Sequence, residues 1–394
     1  MQSQRATGSD APAPSPERRY DIDWLRLMAV FLLFFFHTAR IFDPYEDFYA
    51  RNSSLSKAIA DIFIRSLNPW HMSLFFLLAG ASSCYALRRR SGGQYVKERF
   101  KRLFVPFVFG VLVLIPPQSY VGLLSHSGAS ESYVAWLPQF FSLKFDDMDG
   151  YRLGGHTWGH LWFICHLFVY SLIAFPFLLY LNRESGRRLT SKLAAAFAHP
   201  SALFLIPLAL AWMRTFPWVA GGNPVLYITV FVCGYVLMCD PGFGETIDRR
   251  RIVLLVAGPI LFAVLIALQV AALLPADVPR WVIITYSIYV DGFVPWFVIL
   301  ALLAYGKRLL NFTNRFLSYF AEASYPIYIL HQTVIVILGY YVVQSGLALP
   351  AKYVVIVTGS FALCVLVYDL LVRRNNVTRF LFGMKPRARE NAAG

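Results

Sequence analysis

The sequence predicts an all-α, polytopic integral membrane protein with about ten transmembrane helices and both termini in the cytoplasm. Hydrophobic residues make up 57% of the 394 residues and charged residues only 15%, a balance that excludes an ordinary soluble enzyme. Apolar segments of about 20 residues, the length that crosses a bilayer as a helix, recur along the chain. Lys and Arg are concentrated in alternate connections, and this asymmetry predicts the orientation.

Ten apolar segments are long enough to span the membrane as helices. They cover residues 22–42, 59–87, 102–124, 159–181, 201–217, 223–240, 251–274, 282–305, 316–344 and 350–373. Residues 1–17 are rich in Ala, Pro and Ser, which predicts a disordered cytoplasmic tail. A membrane domain over 18–382 and a basic cytoplasmic tail over 383–394 complete the predicted organisation.

Positive charge is distributed unevenly between the two sides of the predicted bundle. The connections on the side of the termini hold 26 of the 36 Lys and Arg, the opposite connections hold 9, and Arg26 lies within the first span. This excess places the termini in the cytoplasm. The net charge of +14 would also suit nucleic acid, but the charge is spread over every inner loop, as an anionic lipid surface requires. We therefore predict a lipid bilayer partner and no nucleic acid.

The first span carries ionisable residues where a membrane helix is normally apolar: Asp23, Arg26 and His37. Arg26 and His37 are eleven residues apart, which is three turns plus about 20°, so both lie on one face and roughly 16 Å apart along the axis. Such a pair is costly unless it faces protein or water, and it indicates a functional site. The alternative is that Arg26 reaches the headgroups and His37 lies near the far interface.

Histidines in two other spans reach a depth similar to that of His37. At about 1.5 Å per residue, His37, His71 and His331 all lie roughly 22–24 Å from the cytoplasmic ends of their helices. His160 begins the fourth span close to the outer surface and is followed by Trp162. Any one of these histidines could be a satisfied core residue, but together they predict a site in the outer half of the membrane.

A second group of basic residues lies at the cytoplasmic end. Arg99 and Arg102 enter the third span and, with Arg26, suit a phosphorylated ligand because guanidinium groups match phosphate geometry. A positive-inside stop signal is the alternative. The five cysteines show no metal-ligand spacing, and no phosphate loop, nucleophile elbow or zinc motif is present. We predict no metal and no bound cofactor.

Six stretches, in this order, resemble the membrane-bound acyltransferase 3 family and, within it, the glucan biosynthesis protein C group. They are RYDIDWLR at 19–26 with His37, FFLLAG at 75–80, RFKR at 99–102, HLWF at 160–163, ASYPIYILH at 323–331 and FLFGMKP at 380–386. Each motif is short, but together they extend over nearly the whole chain.

The resemblance implies an O-acyltransferase of the bacterial inner membrane. It would move a succinyl or acetyl group from cytoplasmic acyl-coenzyme A (acyl-CoA), its co-substrate, to a hydroxyl of a periplasmic or cell-envelope glycan. The family's Arg-x10-His pair falls on Arg26 and His37, and its Arg-x-x-Arg motif on Arg99 and Arg102.

These residues predict a mechanism in two layers. The donor nucleotide would bind Arg99, Arg102 and Arg26, and its pantetheine arm would thread to His37, the general base or the site of a covalent acyl-histidine. Asp23 belongs to the inner layer and completes the predicted catalytic set with Arg26 and His37. The acceptor-binding or oxyanion candidates are His71, His160, Trp162 and His331. The alternative function is a proton-coupled transporter or flippase of a small molecule or lipid-linked sugar. No inverted repeat is visible in the sequence, and this argues against a transporter.

Overall fold

The computed structural model describes residues 19–142, 154–272, 279 and 292–387. Helices account for all regular structure in these ranges apart from an isolated β-bridge between Val219 and Gly222. The prediction of an all-α protein is therefore confirmed. The predicted tail over 1–17 and the beginning of the predicted span 282–305 lie outside the described residues.

The helices are numbered here in chain order. They are α1 (Tyr20–Arg40), α2 (His71–Leu87), α3 (Gly92–Ser127), α4 (Tyr133–Phe140), α5 (Trp162–Ile173), α6 (Phe175–Asn182), α7 (Glu184–Phe197), α8 (Ala202–Arg214), α9 (Pro224–Leu237), α10 (Pro241–Arg249), α11 (Arg251–Ala272), α12 (Val294–Leu309), α13 (Arg315–Val343), α14 (Leu349–Val367) and α15 (Asn376–Leu381). Short π-helical turns occur at Ile59–Ile64, at Phe100–Phe104 inside α3 and at Tyr368–Val372 after α14.

Within the described ranges, five helices are long and apolar enough to cross a membrane, and up to eight spans result if each of three bent helix pairs counts as one. The bends are 52° between α5 and α6, 110° between α7 and α8, and 96° between α9 and α10. Pro176, Pro200 and Pro241 lie at these breaks, where proline removes a backbone donor and restricts the preceding residue. The connection predicted over 182–200 is thus mostly the helix α7.

The core forms where α1 contacts α2, α12, α13 and α14, and where α2 packs along α9. The α2–α9 contact depends on two glycines. A Cβ added to Gly80 would lie 1.9 Å from the backbone oxygen of Phe231, and one added to Gly234 would lie 2.0 Å from that of Leu77. Close approach through small residues is typical of membrane helix pairs, which gain little from hydrophobic burial against lipid. This contact fixes α2, and with it His71.

We expect Gly234→Ala to lower the thermal stability of the purified protein. Alanine favours a helix by up to ~1 kcal/mol over glycine, but here its methyl group would overlap backbone and force α2 and α9 apart, at a cost of about 1–3 kcal/mol. Gly244→Ala on α10 is the matched control, because nothing lies within 4 Å of the added Cβ. Melting temperatures in detergent measure both variants; a Gly234 variant as stable as the control would contradict the packing.

Candidate functional site

Two cavities lie at opposite ends of α1. The first, about 390 Å³, is lined by Arg26 near the start of the helix, and we call it the Arg26 cavity. The second, about 330 Å³, is lined by His37 near the end of the helix, and we call it the His37 cavity. The side chain of Tyr328 on α13 lines both cavities. Arg26 and His37, which lie on one face of α1, therefore line two different cavities, and Tyr328 lines both.

Three aromatic rings form the partition between the cavities. Tyr328 is buried, and its hydroxyl donates a hydrogen bond of 2.6 Å to the backbone oxygen of His160. Its ring centroid lies 6.4 Å from that of Phe75 and 5.7 Å from that of Phe163, two residues that line the Arg26 cavity. The single path that the sequence suggested is therefore divided at the Tyr328 side chain.

His37 lies in the last turn of α1, enclosed by other rings. Its ring centroid is 5.3 Å from that of Phe36, 5.9 Å from that of Phe48 and 5.1 Å from that of His331. The Nδ1 atom is buried and has no hydrogen-bond partner among the described residues. A histidine that faces a cavity and makes no structural hydrogen bond in this part of the chain is free to take up a proton from a ligand.

Backbone carbonyls fix the tautomers of the two other histidines that line this cavity. Nε2 of His71 donates to the oxygen of Ala29 at 2.8 Å, and Nε2 of His160 donates to that of Ile329 at 2.9 Å. A carbonyl oxygen only accepts, so each of these nitrogens carries the proton and the Nδ1 of the neutral ring is an acceptor. The Nδ1 of His160 has no partner among the described residues. In this form Nδ1 of His71 can accept from a ligand hydroxyl, whereas Nδ1 of His160 is buried; an oxyanion needs a donor.

His331 lies behind the cavity wall. Its ring is fully buried and contacts the rings of His37 and His160, at centroid distances of 5.1 and 4.8 Å. Its Nδ1 donates to the backbone oxygen of Tyr328, so its unpartnered Nε2 is the acceptor of the neutral ring. The sequence predicted an acceptor-binding or oxyanion role for His331, but this residue does not line the cavity and instead packs against the rings of His37 and His160.

Several lining residues were not singled out from the sequence. Gln332 lines the His37 cavity, is buried, and donates through Nε2 to Gln118 at 3.0 Å. Gln118 in turn donates to Thr333 at 2.7 Å. A glutamine directly after His331 in an apolar helix was a usable signal. The aromatic lining, which includes the predicted Trp162, consists of Phe36, Phe48, Tyr49, Trp158, Trp162, Trp218, Tyr227 and Tyr328.

Arg40 also lines the His37 cavity, but carboxylates surround its guanidinium group. Its Nη1 lies 2.5 Å from an oxygen of Asp43 and 2.7 Å from one of Glu46, and its Nη2 donates to the backbone oxygen of Asp47 at 3.2 Å. The charge of Arg40 is thus neutralised within the protein. This cavity suits an uncharged, hydroxyl-bearing ligand better than a phosphate.

The Arg26 cavity has the opposite electrostatic character. Arg26 donates to the hydroxyl of Ser82 at 2.7 Å and to the carboxylate of Asp23 at 3.3 Å. Asp23 holds Arg26 in place and does not itself line the cavity. Among the described lining residues, six are basic and two are acidic. The basic ones are Arg26, Arg90, Arg99, Arg102, Arg379 and Lys385, and the acidic ones are Glu98 and Glu322.

Arg99 and Arg102 reach this cavity from α3, as the sequence predicted. Arg99 donates to the hydroxyl of Ser83 at 3.0 Å, and its guanidinium lies 4.7 Å from the ring centroid of Tyr95. Arg102 lies 3.5 Å from Glu98. The π-helical turn Phe100–Phe104 begins between the two arginines, and such turns occur frequently at functional sites. The structure therefore brings Arg26, Arg99 and Arg102 to one cavity and His37, His71, His160 and Trp162 to the other.

Comparison with known proteins identifies the chain at the level of its family. The family model described as an acyltransferase domain matches residues 19–369. The chain belongs to the acyltransferase 3 family. This acyltransferase, which moves groups other than aminoacyl groups, is similar to proteins named glucans biosynthesis protein C from Salmonella paratyphi A and Salmonella agona. Each is 22% identical to it over 402 residues, with 98% of both chains covered. No solved structure matches the acyltransferase significantly.

Proposed function

We propose that this acyltransferase moves a short acyl group, succinyl or acetyl, from cytoplasmic acyl-CoA to a hydroxyl of a periplasmic or cell-envelope glycan. It would lie in the bacterial inner membrane with ten spans and both termini in the cytoplasm, as the excess of Lys and Arg on that side suggests. The Arg26 cavity would then face the cytoplasm, and the His37 cavity would open to the periplasm.

One observation carries the proposal: the two cavities differ in chemistry and share Tyr328 as a wall. The donor carries phosphates at one end and a thioester at the other, joined by a flexible arm. Phosphates match the basic Arg26 cavity, since guanidinium groups form paired hydrogen bonds with phosphate oxygens. Rotation of the Tyr328 ring would admit the arm, which brings the thioester to the partition below His37.

His37 supplies the base in the proposed reaction. A ring nitrogen takes the proton of the acceptor hydroxyl while the oxygen attacks the thioester carbonyl carbon. The tetrahedral intermediate collapses as the carbon–sulfur bond breaks, and the proton on the imidazolium passes to the leaving thiolate. The products are an acyl ester and free coenzyme A, and His37 returns to its neutral form.

The acceptor sugar would bind in the outer part of the His37 cavity. The Nδ1 atom of His71 is an acceptor in the tautomer that its carbonyl contact selects, so it can hold a sugar hydroxyl that donates, and the buried ring of His160 supports this wall of the cavity. The indole ring of Trp162 would stack against a sugar. Gly221 and Gly222 lie close to this ring: a Cβ added to Gly221 would lie 3.1 Å from it, and one added to Gly222 would lie 2.7 Å from it. Comparing envelope glycans with and without the gene by mass spectrometry would identify the acceptor.

Gln332 is the residue best placed to stabilise the oxyanion. Its amide group has two N–H donors, of which one binds Gln118, and its side chain lines the His37 cavity. We expect Gln332→Leu to lower kcat about tenfold, the loss typical of one hydrogen bond of ~1–1.5 kcal/mol, with little change in donor KM. Gln344→Leu is the control, because Gln344 is an exposed glutamine directly after the end of α13. An unchanged kcat would remove Gln332 from the mechanism.

Purified protein in lipid nanodiscs with labelled acyl-CoA tests the proposed function. We expect label to move to a glycan acceptor, or acyl-CoA to be hydrolysed slowly when no acceptor is present, and both activities to disappear in His37→Ala. His199→Ala is the matched control, because His199 is an exposed histidine that contacts Ser201. Transport of an ion or lipid in vesicles without any acyl turnover would support the rival transporter and overturn the proposal.

A further inference from the structure

The segment over residues 376–385, which we call the C-terminal strap, folds back onto the rim of the Arg26 cavity. It begins with α15 and continues through Gly383 to Lys385, and it contributes Arg379, Gly383, Met384 and Lys385 to the cavity lining. The sequence predicted a basic tail from residue 383 onward, although FLFGMKP at 380–386 is one of the stretches that carry the family resemblance. The strap also lies beyond residues 19–369, the part of the chain that the family model matches.

Arg379 fixes the strap from within. This arginine is buried; its Nη2 donates to Glu322 at 2.6 Å, and its Nε donates to the backbone oxygen of Lys385 at 2.7 Å. Its charge is therefore used inside the protein. This buried guanidinium binds both α13 and the backbone of the strap. It therefore holds Lys385 in position and is not available to a ligand.

A second attachment joins the strap to α3. Arg102 donates through Nε to the backbone oxygen of Gly383 at 3.3 Å, and the hydroxyl of Tyr325 donates to the backbone oxygen of Arg102 at 2.5 Å. Gly383 has φ +68°, and an added Cβ would lie 2.8 Å from the oxygen of Arg102. Glycine is required here both by the backbone conformation and by the close contact, so the turn before Lys385 is tightly defined.

Lys385 is an exposed cation of this rim that pairs with no carboxylate among the described residues. Both carboxylates of the cavity bind arginines: Glu98 contacts Arg90 and Arg102, and Glu322 contacts Arg379. Lys385, by contrast, has no ion-pair partner among the described residues, and its side chain is largely exposed. An ammonium group in this situation is a point charge available to a phosphate.

We propose, on the basis of the proposed function, that Lys385 binds the 3′-phosphate of the acyl-CoA donor and that the C-terminal strap holds it in position. With the thioester at the Tyr328 partition, the diphosphate follows at the inner arginines, and the phosphorylated adenosine is the last part of the donor, at the rim. The strap thus distinguishes coenzyme A from donors that lack the third phosphate.

Donor kinetics on the full-length protein in nanodiscs test this inference. We expect Lys385→Ala to raise the KM for acetyl-CoA about five- to tenfold, since the contact is charge-assisted but exposed to solvent, and to leave kcat unchanged. With acetyl-3′-dephospho-CoA, wild type and Lys385→Ala should have the same KM. Lys385→Arg should restore most of the affinity for acetyl-CoA.

Arg387→Ala is the matched control, because Arg387 is an exposed cation two residues further on that does not line the cavity. Equal KM values for Lys385→Ala and this control would overturn the inference, as would a loss of the same size with both donors. If the wild-type protein transfers no acyl group from acetyl-CoA or from succinyl-CoA, the proposed function itself fails. The two failures are therefore distinguishable.

Discussion

We expect His37→Ala to lose about 10²–10⁴-fold in kcat, the usual contribution of a positioned general base, while the donor still binds. The reason is the separation of the two cavities: His37 lines the space beyond Tyr328, whereas the basic residues that hold phosphates line the other. Equilibrium binding of labelled coenzyme A should therefore match that of the parent protein within about twofold.

Two results would remove the assignment of His37 as general base. The first is wild-type turnover in His37→Ala, for which His199→Ala provides the comparison. The second is an acyl-histidine at position 37, detected by mass spectrometry of protein quenched during turnover, because a covalent intermediate requires attack by the ring itself. A His37→Gln variant that binds donor normally and remains inactive would show that the cavity shape alone is insufficient.

Arg26→Ala should weaken donor binding about 10–100-fold and change kcat much less. Arg26 is held by Ser82 and Asp23 and lines the basic cavity, so its removal costs one charge-assisted phosphate contact of ~1.5–3 kcal/mol, reduced by partial exposure. Calorimetry with coenzyme A and the donor KM measure this effect. Arg188→Ala, which removes an exposed arginine that pairs with Glu184 outside the cavity, is the control. A large fall in kcat with unchanged KM would contradict the assignment.

These two variants together separate the cavities experimentally. His37→Ala is expected to change kcat and Arg26→Ala to change donor affinity, although both residues lie on one helix. Uniform loss of both parameters in both variants would indicate that α1 is merely structural.

Helical periodicity predicts that Arg26 and His37 share a stripe of α1, and counting residues from the helix ends predicts that His37, His71 and His331 lie in one layer, with His160 nearer the outer surface. Neither could predict which histidine faces a cavity, because that depends on how α13 packs. His331 lies beside His37 but does not line the cavity. The tautomers of these rings depend on carbonyls of other residues, such as Ala29 for His71, and hydropathy carries no information about such partners.

Other features depended on contacts across the whole chain. Tyr328 divides the path because Phe75 and Phe163 from two other helices meet it. The C-terminal strap mixes apolar residues with Arg379, and its attachment to the cavity depends on the buried contact between Arg379 and Glu322, which no sequence pattern predicts. The helix bends, in contrast, follow prolines that the sequence displays, and the segment around Pro200 could have been predicted as a bent helix pair.

Sidedness of transfer is the most direct test of a route through the protein. Proteoliposomes would be loaded with a glycan acceptor, and membrane-impermeant labelled acyl-CoA would be added outside only. If the Arg26 cavity receives the donor at one face and His37 acts at the other, label will accumulate on the enclosed glycan, and His37→Ala vesicles will show none. Label that appears only when donor and acceptor share one compartment would contradict transfer across the Tyr328 partition.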